Sequence, residues 1–134
     1  MVFEEGVSIL LSFSLMGKEQ SSQMLSIYPL VHSWSQEKMS KSEQQRICQI
    51  GSTILSCAIP QTFKSQDYTL RRLIYPHIIA NKSHASQIGL VQEYYSDDKF
   101  CNFGFVIRES GDWKNAEQLE VQVMDMRKKR LDIP

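Results

Sequence analysis

The sequence predicts a mainly α-helical chain that carries one small β-hairpin. Three observations predict it. Apolar residues recur at helical spacing through most of the chain, a polar turn separates two short apolar runs near the start, and Pro, Gly and capping residues punctuate the helical stretches.

Residues 6–16 are apolar on most sides through Val7, Ile9, Leu10, Leu11, Phe13 and Leu15. Their length leaves helix or strand open, with a helix passing into a strand around Phe13 and Leu15. The run lacks a basic flank, carrying Glu4 and Glu5 instead, and it is too short to span a bilayer. It is expected to be a buried core segment. The polar stretch 17–23 reads as the tip of a two-stranded hairpin whose second strand holds Met24, Leu25 and Ile27.

Pro29 suits the first turn of a helix, where its missing N–H costs nothing. Leu30, Val31 and Trp34 are the expected buried stripe of that helix. Ser40 with Glu43 forms a capping box, so a further helix is expected to start there. Its apolar positions, Ile47, Ile50, Ile54, Leu55 and Ala58, follow helical spacing, and Pro60 stops it. After a polar loop over 60–66, Leu70, Leu73, Ile74, Ile78 and Ile79 predict a helix over 68–80 that Pro76 kinks or divides. The polar stretch 81–87 reads as a linker.

The last part carries the clearest pattern. Phe100, Phe103, Gly104 and Ile107 lie at i, i+3, i+4 and i+7, the stripe of an amphipathic helix. Gly111 and Asp112 mark a tight turn, and Ala116, Leu119, Val123 and Met126 lie on one face of a second helix. Gly104 and Ala116 are small where two antiparallel helices cross.

Composition narrows the function. Fifteen basic and fifteen acidic side chains cancel, so no global field favours nucleic acid or an anionic membrane. Cys48, Cys57 and Cys101, odd in number and widely spaced, suit reduced thiols in the cytoplasm. His32, His77 and His84 are not at ligand spacing, and no phosphate-binding loop or nucleophile elbow occurs. No catalytic residue, cofactor or metal is expected. The basic run Arg127, Lys128, Lys129 and Arg130 reads as the charged end of the final helix, opposite in sign to the local pole of its dipole.

These residues resemble known families. Phe100 to Ile107, followed by Gly111, Asp112, Trp113, Ala116 and Glu117, resemble a tetratricopeptide repeat of the kinesin-light-chain type. Leu10 to Leu15, then Ile27 to Trp34, are similar to the winged-helix region of fungal NB-ARC proteins, and Leu70 to Leu73 with Pro76, His77 and Ile78 resemble the linker before their repeats. Tyr28 stands where those receptors usually carry a nucleotide-sensing histidine. The resemblance implies a winged-helix-like tail over 1–60, a helical linker over 61–92 and one tetratricopeptide-like hairpin over 93–134. Within that hairpin Phe100, Phe103, Gly104, Ile107, Gly111, Trp113, Ala116, Leu119 and Val123 are the expected packing positions.

The function so implied is a non-catalytic, cytoplasmic protein–protein interaction module, a piece of a receptor without its nucleotide-binding domain. A winged-helix DNA-binding protein is the alternative, weakened by the neutral charge and by the few basic residues, His32 and Lys38, over 29–39. Partners are other proteins, neighbouring repeats or a second copy. With the chain stopping at Pro134, an exposed apolar strip is expected at Val121, Met124 and Leu131, because a single repeat cannot bury its faces alone. Substitutions there are expected to reduce self-association.

Overall fold

The computed structural model describes residues 2–13, 15–21, 23–90 and 97–131, with 97 and 98 described by their backbone alone. Among them lie α1 (Val2–Ser12), β1 (Met16–Lys18), β2 (Leu25–Ile27), α2 (Pro29–Lys38), α3 (Lys41–Ala58), α4 (Ser65–Gln87), α5 (Asp97–Glu109) and α6 (Trp113–Leu131). The chain divides into two compact units, Met1–Ser40 and Lys41–Pro134. The expected boundary between 92 and 93 lies outside the described residues.

In the first unit the expected hairpin is present. β1 and β2 pair antiparallel with Met16 opposite Ile27 and Lys18 opposite Leu25. The turn is closed by the Glu19 N–H donating to the Met24 carbonyl at 2.8 Å, and Gln23 takes a φ of 58°. Pro29 occupies the start of α2 after an extended Tyr28. Two expectations are corrected here. The segment read as buried core has no buried residue in α1, and the stripe read as buried in α2 is open, with Leu30 85 % and Trp34 59 % exposed. Three-residue strands and two short helices enclose too little volume to remove these side chains from water. Leu15, Leu30, Val31 and Trp34 instead line an open apolar groove of about 620 Å³.

The second unit is two helical hairpins laid side by side. α3 packs on α4 and α5 on α6, while α5 also packs on both α3 and α4. The shared core holds Ile74, Ile78 and Ala85 of α4, Phe100, Phe103, Val106 and Ile107 of α5, and Ala116 and Leu119 of α6. The expected linker is therefore itself half of a hairpin. α4 runs unbroken through Pro76 and through 81–87, because Pro76 faces outward and the polar residues of the last turns lie around a buried Ala85.

Both core hairpin helices end in the same way. After α4, the Leu90 N–H donates to the Ala85 carbonyl and the Gly89 N–H to that of Ser86, with Gly89 at φ 76°. After α5, the Asp112 N–H donates to the Ile107 carbonyl and the Gly111 N–H to that of Arg108, with Gly111 at φ 77°. This paired arrangement satisfies carbonyls that the helix leaves open, and it needs a residue without a Cβ at the left-handed position.

α3 starts at Lys41, directly after Ser40, as the capping box predicts, but it buries a different face. Ile47, Ile50 and Ile54 are 54 %, 48 % and 63 % exposed, while Cys48, Ser52 and Ser56 are buried. Of the expected apolar stripe, Leu55 alone packs against the core. Hydrogen bonds account for the inversion. Lys99 donates to the Ser52 hydroxyl at 2.8 Å, and the Asn102 amide donates to the Ser56 hydroxyl at 2.9 Å and to its carbonyl at 3.3 Å. From α4, the Asn81 amide donates to the Cys48 carbonyl at 3.4 Å, and Gln45 donates to the Ile88 carbonyl at 3.1 Å. Small side chains on this face let α3 approach both neighbours, and the Ser52 and Ser56 hydroxyls it buries are paired, while Asn81 Oδ1 across from it is buried without a partner.

Candidate functional site

The α5–α6 hairpin is built largely as its sequence pattern predicts. Phe100, Phe103, Ile107, Ala116 and Leu119 are each at most 4 % exposed, Gly104 is buried, and Val123 packs half-buried against them. Gly111 makes the turn. Trp113 does not share the packing: at the first position of α6 it is 70 % exposed. Gly104 faces α6, yet a Cβ there would meet Leu119 Cδ2 at 3.7 Å, an ordinary contact, so the crossing does not demand a glycine.

The turn is held by a polar cluster. Asp112 accepts from the Asn115 N–H at 3.2 Å, capping the start of α6, and from the Asn115 amide at 2.6 Å. The Tyr75 hydroxyl of α4 donates to the same carboxylate. Donation by Tyr75, then by Asn115, holds the Asp112 carboxyl below its ordinary range, and bonding to that carboxylate pushes the Tyr75 phenol up to about 12. Burial lowers the Lys82 and Lys99 ammonium groups from their ordinary value.

Beneath this lies a charged clamp that no sequence motif announces. Arg71, 2 % exposed, donates from Nε to both carboxylate oxygens of Glu109 at 3.0 and 3.1 Å. Its Nη1 donates to the Pro60 carbonyl at 3.1 Å and the Thr62 carbonyl at 2.8 Å. The guanidinium also sits 5.9 Å from the Phe63 ring and 5.1 Å from the Phe105 ring. One side chain thereby joins the α3–α4 loop, α4 and the end of α5. The only signal in the sequence is an arginine at a core register of α4, three residues before Ile74.

On the outer side of the α5–α6 hairpin an open groove of about 360 Å³ runs between the two helices. Phe100, Cys101, Gly104, Leu119, Val123 and Met124 give it an apolar floor, and Arg108, Glu120 and Arg127 form its rim. Arg108 and Glu120 pair across the rim at 3.3 Å. Val121, Met124 and Leu131, the expected strip, are 51 %, 57 % and 84 % exposed. A second groove of about 440 Å³, between α4 and α6, has a polar lining that includes Lys82, Ser83, Asn115, Gln118 and Gln122.

Among the described residues no group of His, Cys, Asp or Glu is placed to hold a metal, and no helix is long and apolar enough to cross a membrane. Ser52 and Lys99 form a serine–lysine pair, but the serine is fully buried, so the pair ties α3 to α5. No protein-family model matches the chain, and no curated protein or solved structure matches it.

Proposed function

We propose that this chain is a non-catalytic protein–protein interaction module that receives an amphipathic helix in the outer groove of α5 and α6. The observation that carries this reading is internal to the fold. α5 packs against both α3 and α4, and its Phe100, Phe103, Val106 and Ile107 belong to the core that these helices share. The α5–α6 pair is the corresponding feature one hairpin later, and its groove presents an apolar floor with a charged rim to solvent. A helix with apolar residues at i, i+3, i+4 and i+7 fits such a floor.

The stacked hairpins, with their glycine turns, also support the tetratricopeptide-like reading, and with it a place beside the repeats of NB-ARC-type receptors. Three free thiols suit a cytoplasmic setting. The mixed rim of Arg108, Glu120 and Arg127 favours a partner helix bearing charges of both signs beside its apolar stripe.

Selection from a library of displayed amphipathic helices tests the reading. Helices selected on the intact chain are expected to lose at least tenfold in affinity, by calorimetry, for the Cys101→Lys/Met124→Lys variant, which changes two exposed lining residues. They are expected to keep their affinity for Ile50→Lys. Equal binding to all three proteins would sink the reading.

A further inference from the structure

α3 presents to solvent the face that a helix ordinarily hides. Ile47, Ile50, Ile54 and Cys57 follow one another at spacings of three, four and three, the a/d seam of a coiled coil. All four are exposed, whereas the opposite face is committed to α4 and α5 through Cys48, Ser52 and Ser56. The helix therefore carries two seams, one used inside the unit and one left open.

The open seam is wider than one helix. α3 and α4 run antiparallel, as the bonds of Cys48 with Asn81 and of Gln45 with Ile88 show. Leu70 lies three turns before Asn81 on the side of α4 turned to α3, and it is 43 % exposed; Leu73 beside it is 52 % exposed. With the three isoleucines these leucines present on the order of 500 Å² of aliphatic surface, at the upper end of roughly 300–600 Å² for the largest patch on a typical monomer. That is enough for the apolar centre of an interface hiding about 800 Å² per partner.

We infer that this face pairs two copies of the chain, α3 against α3, about a twofold axis that crosses the seam between Ile50 and Ile54. Three features favour a second copy as the occupant. The seam is symmetric about that point, so Ile50 of one copy meets Ile54 of the other and Ile47 meets Cys57, as an isologous contact requires. It carries no charge along its centre, and its flanks, Gly51, Thr53 and Ala58, are small enough for close approach. Arg46 flanks the seam near one end, so antiparallel pairing sets the two guanidiniums apart where parallel pairing brings them together. This pairing uses a face separate from the α5–α6 groove and does not depend on that groove having a partner. It moves the self-association expected of α6 onto α3.

Light scattering behind size-exclusion chromatography tests the inference at tens of micromolar chain. The expected mass is twice the 15.5 kDa of one chain. Ile50→Glu/Ile54→Glu should run as a monomer with an unchanged circular-dichroism spectrum, since both side chains are already exposed. Val121→Lys/Met124→Lys should remain dimeric. In an Ile47→Cys variant, mild oxidation should give a disulfide-linked dimer whose digest joins positions 47 and 57. A monomeric parent chain, a dimer that survives the double glutamate substitution, or one that the α6 substitutions dissociate would each overturn the inference. A link joining 57 to 57 in place of 47 to 57 would overturn the antiparallel arrangement.

Discussion

Replacing Arg71 with Ala should be among the most damaging single changes to the helical unit. The substitution leaves the Glu109 carboxylate, 19 % exposed, without its guanidinium, and it removes the donor to the Pro60 and Thr62 carbonyls. Removing one partner of a buried ion pair costs about 3–5 kcal/mol, because the remaining charge stays desolvated. The lost packing between the Phe63 and Phe105 rings adds to this. Against a total stability of about 5–15 kcal/mol for a domain, the variant keeps only a narrow margin. Urea unfolding followed by circular dichroism measures the loss, and thermal midpoints should fall by about 12 °C or more, at roughly 4–8 °C per kcal/mol for a unit of this size. Arg71→Lys should recover part of the loss at most, since an ammonium cannot reproduce the planar fork that reaches carboxylate and carbonyls together. Glu109→Ala leaves the 2 % exposed guanidinium without its carboxylate and should cost a comparable amount, and a double-mutant cycle should show the two residues strongly coupled. A loss below about 1 kcal/mol for Arg71→Ala, or strict additivity with Glu109→Ala, would refute the clamp.

Other substitutions separate the packing arguments. Gly104→Ala should stabilise by about 0.5–1 kcal/mol, since the methyl group finds ordinary contact with Leu119 and the helix gains propensity; a lower urea midpoint would mean a tighter crossing than the geometry shows. Gly111→Ala should do the reverse by about 1–2 kcal/mol, because its φ of 77° strains any side chain although the space is open. The Asp112 carboxyl is lowered on folding, so its contribution is present above the unfolded carboxylate value of about 3.9 and is lost as pH falls through the lower folded value. Tyr75, raised to about 12, contributes below the unfolded phenol value of about 10 and loses that contribution as pH rises through about 12. Tyr75→Phe should therefore flatten the fall in urea midpoint between pH 5 and pH 2 as well as the fall above pH 10; unchanged limbs would place the stabilisation elsewhere.

The α5–α6 hairpin was legible in the sequence nearly residue by residue. There a single apolar stripe competes with no other, and Gly111 fixes the turn. α3 is less legible because it holds two stripes of helical period. The isoleucine stripe is the more apolar, but the serine and cysteine stripe has hydrogen-bond partners on both neighbouring helices, which only the tertiary structure reveals. The polar last turns of α4 hide its continuation beyond 80, although Gly89 stands after them as a stop signal. Arg71 gave no warning, since its burial depends on Glu109, thirty-eight residues away in sequence. The hairpin of the first unit is legible from its polar turn, but the apolar residues around it predict a core that α1 and α2 do not build.

The most direct test of the helix-receiving groove is a nuclear magnetic resonance titration of the labelled chain with a selected amphipathic helix. The account predicts that the largest shift changes fall on Cys101, Gly104, Glu120, Val123 and Met124, with the amides of Ser83, Gln87 and Gln118 little affected. Changes centred on the polar groove between α4 and α6, with the α5–α6 groove silent, would contradict it.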